Sequence, residues 1–333
     1  MVQDTRWLIA PDAFKGTYSA KEVALAIAAG IRDVDASATL ELCPAADGGE
    51  GTLEVLLDGL GGRTTEADAH DPLGRPISAP LGWVHGGASA IVAVADASGL
   101  VLLTPAERDA ELASTIGTGE LIAAAISAGA AQVVLAAGGS ATTDGGEGAI
   151  QAIEARGGLR GARLTVLADV TTSFERAAEV FAPQKGADPE AVRRLTARLH
   201  ERAQALPRDP RRIPMTGAAG GLAGGLWARY GATLVPGAAW VLDALGFDER
   251  LARAGAVITG EGRLDPQTLE GKLVSEVAGR ARTAGVPLHA VVGSSLLTDA
   301  ESSQLAFATV SVASDRPELE RAGRALAGSA LAR

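Results

Sequence analysis

The sequence has little cysteine: Cys43 is the single thiol among 333 residues. One cysteine cannot form an internal disulfide, and it lacks the grouped cysteines and histidines of a structural zinc site. Long apolar runs are also missing, since stretches such as 131–137 fall far short of the roughly 20 residues that span a bilayer. No basic region followed by a long apolar stretch and a small-residue cleavage site opens the chain. We therefore expect a cytoplasmic protein that is neither secreted nor membrane-spanning.

Positive charge is scarce as well. Thirty Lys and Arg residues stand against forty Asp and Glu, which gives a formal net charge of -10, and no Lys/Arg-rich run interrupts that acidity. A surface that binds nucleic acid needs clustered positive charge to contact phosphates. Nucleic acid is therefore not an expected partner.

Several common catalytic motifs are absent. No G-x-x-x-x-G-K-[ST] loop exists, because Lys272 is followed by Leu273, and no G-x-G-x-x-G follows a strand with a suitably placed acid. The histidines, at positions 70, 85, 200 and 289, show no metal-ligand spacing, and no serine lies in G-x-S-x-G. These absences argue against Walker-type nucleotide sites, Rossmann dinucleotide sites, zinc chemistry and serine hydrolases.

Short β-rich runs alternate with helical patterns, as is typical of an α/β protein with a mostly parallel sheet. The simple alternation supplies two strands before residue 63 and three after residue 254, enough for a small open parallel sheet of the flavodoxin-like kind. Residues 63–95 instead hold three β-like runs without a helical period, which indicates an antiparallel excursion. We predict a discontinuous parallel α/β domain of residues 1–63 and 246–333, with a mixed α/β domain of residues 64–245 inserted into it. A cleft between the two is the expected ligand site.

Two helices can be given bounds from their signals. Ser19 followed by Glu22 has the spacing of a capping box, and apolar residues recur every four positions behind it, which predicts a helix over 19–32. A second amphipathic pattern predicts a helix over 268–284, with Gly285 as its C-terminal cap. The glycine- and alanine-rich stretch 217–226 is assigned to neither a helix nor a strand.

Glycine is abundant, with 42 residues, and it clusters. The pentapeptide DGGEG occurs at 47–51 and again at 144–148, each time after a predicted strand and before a predicted helix, and a third GEG lies at 260–262. Loops that place successive N–H groups at a helix N-terminus attract anions, phosphate above all. The loops predict a site for several phosphates, or for a phosphate and a carboxylate. The alternative is that these glycines only serve tight strand-to-helix turns.

Lysine is rare, and its four positions are informative. Lys15, Lys185 and Lys272 each adjoin a glycine, whereas Lys21 does not. A flexible point charge beside a permissive backbone suits a phosphate or a carboxylate. For Lys185 a place in a surface loop is an equally simple interpretation. Lys15 is favoured for function, because it follows the first strand, at the sheet edge where open α/β proteins bind ligands.

A set of motifs taken together resembles the bacterial type I glycerate kinase family. They occur in that family's order and extend over nearly the whole chain. The motifs are APDAFKGTYSAKEV (10–23), PAADGGEGT (44–52), DPLGRP (71–76), ASGL (97–100), GTGELI (117–122), GGSATTDGGEG (138–148), FAPQKGA (181–187), GAAGGL (217–222) and TGEGRLDPQTLEGK (259–272).

This resemblance implies ATP-dependent phosphorylation of D-glycerate, giving 2-phosphoglycerate, with Mg²⁺ and with the active site between two α/β domains. D-glycerate and ATP are then the small-molecule partners. The chain departs from the family pattern at three places: it has Ala93 where Glu is common, Thr143 where Asn is common, and Thr172-Ser173 in place of Asn-Pro.

Phosphoryl transfer requires positioned cations and a proton acceptor. Lys15 and Arg75 are the candidates to bind the glycerate carboxylate or the transferring phosphoryl group, and Asp47 is the candidate base, because a helix N-terminus just behind it would keep it ionised. Asp265 and Asp169 follow strands and are candidates to hold Mg²⁺. The remaining predicted residues are Asp12, Gly48 and Gly49 for glycerate, and Gly138, Gly139, Ser140, Thr142, Gly260, Gly262 and Lys272 for the nucleotide.

For each aspartate the alternative is an N-cap or Asx-turn role, which is strongest for Asp144 and weakest for Asp265. Two other functions stay open at this point. One is a kinase for another small hydroxy or sugar acid, with Ala93 leaving room in the acceptor pocket. The other is a sugar-acid sensor, which would bind glycerate and release no ADP. The sequence leaves open the oligomeric state, the accepting hydroxyl, and which carboxylate is base and which holds Mg²⁺.

Overall fold

The protein is described by a computed structural model over residues 5–331, apart from the side chain of residue 270. The strands are β1 (Trp7–Pro11), β2 (Leu40–Leu42), β3 (Arg63–His70), β4 (Pro76–Val84), β5 (Ser89–Ala93), β6 (Gln132–Ala136), β7 (Arg163–Ala168), β8 (Thr233–Pro236), β9 (Ala256–Gly260), β10 (Leu288–Val292) and β11 (Thr309–Val312). The α-helices are α1 (Ala20–Val34), α2 (Thr52–Leu60), α3 (Val94–Ser98), α4 (Ile116–Ser127), α5 (Glu147–Ala155), α6 (Ala177–Phe181), α7 (Pro189–Ala205), α8 (Leu222–Tyr230), α9 (Gly237–Ala244), α10 (Phe247–Leu251), α11 (Leu273–Ala284), α12 (Asp299–Gln304) and α13 (Arg316–Leu331).

The chain divides into two compact units. Unit 1 consists of Met1–Asp47 and Ala238–Arg333, and unit 2 of Gly48–Gly237, so that unit 2 is inserted into unit 1. The predicted boundaries, at residues 63 and 246, lie later in the chain than both junctions. The first difference arises because α2 packs on β4 and β5 and therefore belongs to unit 2.

Unit 1 contains five parallel strands in the order β2-β1-β9-β10-β11. Numbered within the unit this order is 2-1-3-4-5, that of flavodoxin-like sheets, and the predicted parallel α/β domain is confirmed. Such sheets bind ligands beyond the carboxyl ends of the strands where the strand order reverses, which here is beside β1. β1 and β9 end side by side, with Pro11 paired to Gly260.

The first helix of unit 1 forms as its sequence predicts. Ser19 is the N-cap of α1 and completes a capping box with Glu22: the Ser19 N–H donates to Glu22 Oε2 at 2.8 Å. Two otherwise unpaired N–H groups at the helix start are satisfied in this way. The four-residue period places Val23, Ile27 and Ile31 on one fully buried face, which packs in the core of unit 1.

Unit 2 is built on a six-stranded mixed sheet in the order β3-β4-β5-β6-β7-β8. Strands β3, β4 and β5 pair antiparallel, and β5 to β8 pair parallel. The antiparallel excursion predicted for 63–95 is confirmed. The core of this unit includes the buried Leu121, Leu135 and Leu222.

Two segments differ from the prediction. The predicted helix over 268–284 is shorter at its start, because Pro266–Glu270 form a 3-10 turn and Gly271, with φ of +96°, separates that turn from α11. The stretch 217–226, assigned to no element, contains the start of α8. Leu222 and Leu226 bury the inner face of that helix, and the glycines between them conceal this pattern in the sequence.

Candidate active site

A cavity of about 510 Å³ lies in unit 1 at the carboxyl ends of β1 and β9. It is where the strand order predicts a ligand site. Several of the residues predicted from the sequence line it together. The charged lining residues are Asp12, Lys15, Glu261, Arg263, Asp265 and Lys272.

Asp12 and Asp47 are both buried acids, 4% and 2% exposed. Burial raises the pKa of Asp12 well above its usual range, and the negative charge of Asp47 raises it further. The charge of Lys15 opposes this shift, as does the Ala13 N–H, which donates to Asp12 Oδ1 at 2.7 Å. The structure therefore brings Asp12, Lys15 and Asp47 together, and their roles toward glycerate stay predictions.

Glu261 joins this group, although it is absent from the residues predicted from the sequence. Burial raises the pKa of its carboxyl to about 7, Asp47 and Asp265 add to the shift, and Lys272 opposes it. Thr268 Oγ1 donates to Glu261 Oε1 at 2.6 Å and holds the carboxyl in place. An acid set between two glycines directly after a strand was the signal available in the sequence. A carboxyl that titrates near neutral pH in a cavity is typical of a functional site.

The glycines on either side of Glu261 have a packing role. A Cβ added to Gly260 would lie 1.9 Å from the main-chain oxygen of Val291, so only glycine fits beside β10. Gly262 lines the cavity, and a Cβ there would lie 3.3 Å from Phe14 Cα. Whether these two residues also contact a nucleotide stays a prediction.

Asp265 acts as the N-cap of the turn that precedes α11. Its Oδ1 accepts the Gln267 N–H at 3.0 Å, and its Oδ2 pairs with Arg263 at 3.2 Å. Asp265 is thus an N-cap residue, although this alternative was the weakest for it among the aspartates. Lys272 is the N-cap residue of α11, and its Nζ lies 3.5 Å from Gln267 Oε1.

Asp47 does not adjoin a helix N-terminus, contrary to prediction. Helix α2 begins at Thr52, with Gly51 as its N-cap, so four residues separate Asp47 from the helix. The field of the helix dipole falls off within the first turn. The helix-dipole argument for Asp47 is therefore wrong, and its charge instead raises the pKa values of Asp12 and Glu261.

Gly48, Gly49 and Gly138 form a close contact between two loops of unit 2. The Gly138 N–H donates to the Gly48 main-chain oxygen at 3.0 Å, and a Cβ on Gly138 would lie 2.4 Å from Gly49 Cα. Glycine is required here for loop packing. The Gly138 N–H is used within the protein and does not point to a ligand.

Ser140 and Thr142 are buried side chains of the loop 138–142. Ser140 Oγ accepts the Thr142 N–H at 3.1 Å and lies 3.1 Å from Thr142 Oγ1. Gly139 is exposed and has φ of +73°. Lys185, for which a surface loop was one interpretation, is buried against this loop with 2% exposure, and burial lowers its pKa to about 7.

Arg75 lies in unit 2 and pairs with Asp71 of its own loop and with Glu107. Its Nε donates to Asp71, its Nη1 donates to Glu107 at 2.7 Å, and its main-chain N–H donates to Asp71 Oδ1 at 2.9 Å. These acids raise the pKa of the guanidinium group. The structure shows a role for Arg75 in closing the DPLGRP turn, and a substrate role stays a prediction.

The two predicted magnesium ligands belong to different units, Asp169 following β7 in unit 2 and Asp265 lying in unit 1. Within residues 5–331, no group of three or more His, Cys, Asp or Glu side chains is close enough to hold a metal ion. Over the same residues, no helix has the length and apolar character needed to cross a membrane.

Comparisons with known proteins agree with this fold. The family model described as "Glycerate kinase family" matches residues 7–158 and 153–331. A glycerate kinase of Halalkalibacterium halodurans is 38% identical over 322 residues, covering 86% of this chain and 85% of the relative. A glycerate 2-kinase of Escherichia coli K12 is 36% identical over 327 residues, covering 88% of this chain and 85% of the relative.

A solved structure is also similar. The crystal structure of a protein provisionally named glycerate kinase 2, from Salmonella typhimurium LT2, is 34% identical, superimposes with a TM-score of 0.81, and is matched over 99% of this chain and 97% of its own. Both the family match and these relatives extend over most of the sequence. The chain therefore belongs to the glycerate kinase family.

Proposed function

We propose that this protein phosphorylates D-glycerate with ATP and Mg²⁺ and releases 2-phosphoglycerate and ADP. The observation that carries the proposal is the unit 1 cavity, where Asp12 and Glu261 meet Lys15 and Lys272 at the carboxyl ends of two adjacent parallel strands. The relatives named glycerate kinase and glycerate 2-kinase support the choice of acceptor.

Glycerate offers one carboxylate and two hydroxyl groups, and the cavity has groups suited to each. Lys15 lines it and supplies positive charge for the carboxylate. Asp12 is a buried acid on the cavity wall and can accept a hydrogen bond from a hydroxyl group. We assign Asp12 and Lys15 to glycerate. Gly48, Gly49 and Arg75 stay predicted glycerate residues, each with a structural role of its own.

In the reaction, the oxygen of one hydroxyl group forms a bond to the γ-phosphorus of ATP, the bond from that phosphorus to the bridging oxygen of ADP breaks, and the hydroxyl proton passes to a carboxylate. We propose Asp47 as the proton acceptor. Its neighbours Asp12 and Glu261 make the acidic group as a whole a favourable place for a proton, because their charges repel. Lys15 would balance charge on the transferring group.

The nucleotide phosphates are assigned to the loop 138–142 and to Gly260, Gly262 and Lys272, as the sequence predicts. Mg²⁺, when bound, neutralises phosphate charge. Asp265 offers it a carboxylate whose Oδ2 faces Arg263, an arginine that is 63% exposed in its side chain and can turn away. One carboxylate together with phosphate oxygens and water suits this ion. Asp169 stays the second predicted ligand.

The proposal is tested by a coupled ADP-release assay with D-glycerate, ATP and Mg²⁺, followed by phosphorus NMR of the product. Turnover with the phosphate on C2 is the expected result. Phosphate on C3 would correct the position of transfer. Glycerate binding without ADP release from folded protein would overturn the proposal in favour of a sensor, and turnover only with other hydroxy acids would change the substrate.

A further inference from the structure

Lys185 is a buried cation without a counter-ion. Its Nζ donates to the main-chain oxygen of Thr142 at 2.5 Å and to Ser140 Oγ at 3.3 Å, and both acceptors are neutral. Within the described residues no carboxylate lies within ion-pair distance of this ammonium group. With 2% of the residue exposed, the ammonium group is withdrawn from bulk solvent. Buried charges in proteins are normally paired, because an unpaired one is costly.

The charged groups near Lys185 do not supply a counter-ion for its ammonium group. Asp144 is the acid whose field acts on the ammonium, but its carboxylate already accepts hydrogen bonds from Thr115 and from the N–H groups of Gly146 and Gly148. The next residue, Gly186, packs against the main-chain oxygen of Arg108, and the buried Nε of Arg108 has no hydrogen-bond partner. Asp144 therefore acts on Lys185 only from beyond ion-pair distance.

The loop above Lys185 carries a second unsatisfied group. Thr143 is fully buried, and its Oγ1 has no hydrogen-bond partner. The same loop packs against a strained segment: Ala219 has φ of +51°, and a Cβ on Gly220 would lie 1.9 Å from the Thr142 oxygen that Lys185 contacts. Backbone strain of this kind is retained mainly at functional sites. The loop reaches solvent at Gly139.

We propose that the loop 138–143 binds an anion of the phosphate class, and that Lys185 is a positioning residue that supplies the balancing positive charge from beneath the loop, through Thr142 and Ser140. This rests on the proposed function, because the triphosphate of ATP is the anion the reaction brings. Lys185 acts through the loop and does not touch the reacting atoms.

The inference has a specific thermodynamic consequence. With its pKa lowered to about 7 by burial, Lys185 is partly neutral at pH 7.5. An anion bound to the loop favours the charged form and raises that pKa, so binding must take up part of a proton from the buffer. A lysine that serves only for packing would take up none.

The test is calorimetric titration with a non-hydrolysable ATP analogue, and separately with inorganic tripolyphosphate, at pH 7.5 in buffers of different ionisation enthalpy. For the unmodified protein we expect both probes to bind with uptake of a fraction of a proton. Lys185→Met is nearly the same size and should lose the uptake and weaken binding about tenfold, as expected for one charge-assisted interaction. Lys21→Met, at an exposed position, is the matched control.

A third variant separates charge from titration. Lys185→Arg keeps the charge and cannot release its proton, so it should bind the probes without proton uptake. If Lys185→Arg fails to fold, Lys185→Met decides alone, with KM for ATP expected to rise more than kcat falls. Equal affinity and equal proton uptake in Lys185→Met and the unmodified protein would overturn the inference, as would no binding of either probe. A protein that shows the lysine-dependent uptake and yet fails to phosphorylate glycerate would contradict only the proposed function.

Discussion

The two copies of DGGEG, at 47–51 and 144–148, have the same residues and different structures. In the first copy the helix begins after the pentapeptide, at Thr52 with Gly51 as N-cap. In the second it begins inside the pentapeptide, at Glu147 with Gly146 as N-cap. The aspartates differ accordingly. Asp144 accepts hydrogen bonds from four N–H and O–H groups, whereas Asp47 lies among other acids.

The difference shows how to separate a structural acid from a functional one. A carboxylate surrounded by donors stabilises its loop, and for Asp144 the structure shows the Asx-turn role, because its Oδ1 accepts the Gly146 N–H. A carboxylate buried beside Asp12 and Glu261 raises their pKa values and opposes folding at neutral pH. Buried acids that raise one another's pKa values are expected at a site that uses them. The following experiments test whether the two copies differ as strongly as this implies.

The largest effect is expected at the first copy. Asp47→Asn should lower kcat about a thousandfold, within the range of general base catalysis, because the substrate hydroxyl proton loses its acceptor. Stability should change little, because asparagine keeps the size of the side chain and one acceptor oxygen while the change removes charge repulsion on Asp12 and Glu261. ADP release and thermal unfolding measure the two quantities. Asp33→Asn, at an exposed ion pair with Arg324, is the control and should keep normal turnover. More than a tenth of normal kcat in Asp47→Asn would mean that another group accepts the proton.

At the second copy we expect a large effect on stability and a small effect on activity. Asp144→Ala leaves Thr115, Gly146 and Gly148 N–H groups without their acceptor and should lower the free energy of unfolding by about 4 kcal/mol. Its kcat, measured on folded protein, should fall far less than that of Asp47→Asn. Urea unfolding gives the free energy. A loss below about 1 kcal/mol would show that water replaces the carboxylate, and Asp144 would then have no special structural role.

The acidic surroundings of the first copy should appear in the pH dependence of stability. Because the pKa of Glu261 is about 7 in the folded protein and its ordinary value is 4.5, the folded chain holds a proton between these values that the unfolded chain has released. Stability from this group is therefore present at low pH and is lost as the pH rises through 7. The free energy of unfolding of Glu261→Gln minus that of the unmodified protein should be larger at pH 8 than at pH 5, by no more than about 3 kcal/mol. An identical difference between the two proteins at both pH values would refute the raised pKa.

Much of unit 1 could be predicted from the sequence because its signals are local. Ser19 and Glu22 form the capping box that their spacing predicts. The alternation of strands and helices predicts a parallel sheet, and the rule that ligands lie at the carboxyl ends of its strands places Asp12 and Lys15 in the cavity. These predictions need no knowledge of distant contacts.

What could not be predicted depends on residues far apart in the chain. Arg75 meets Glu107, 32 residues away, and Lys185 meets Thr142, 43 residues away. Burial of Glu261 follows from the packing of unit 1, which no local pattern reveals. For the same reason the repeated pentapeptide predicts two similar loops. In the structure, Thr115 donates two hydrogen bonds to Asp144 of the second copy, which makes the two loops different.

The smallest effect compares the two N-cap glycines directly. Gly51 and Gly146 have similar left-handed conformations, with φ of +82° and +78°. A Cβ on Gly51 would meet nothing within 4 Å, whereas one on Gly146 would lie 3.1 Å from Leu222 Cα. Gly51→Ala should therefore cost only the backbone strain, about 1 kcal/mol, and Gly146→Ala about 1 kcal/mol more. Because the strain is common to both, the difference measured by urea unfolding isolates packing against α8. Equal losses would mean that Leu222 shifts to accommodate the Cβ added to Gly146. The two copies would then be equivalent at their glycines and distinct only at their aspartates.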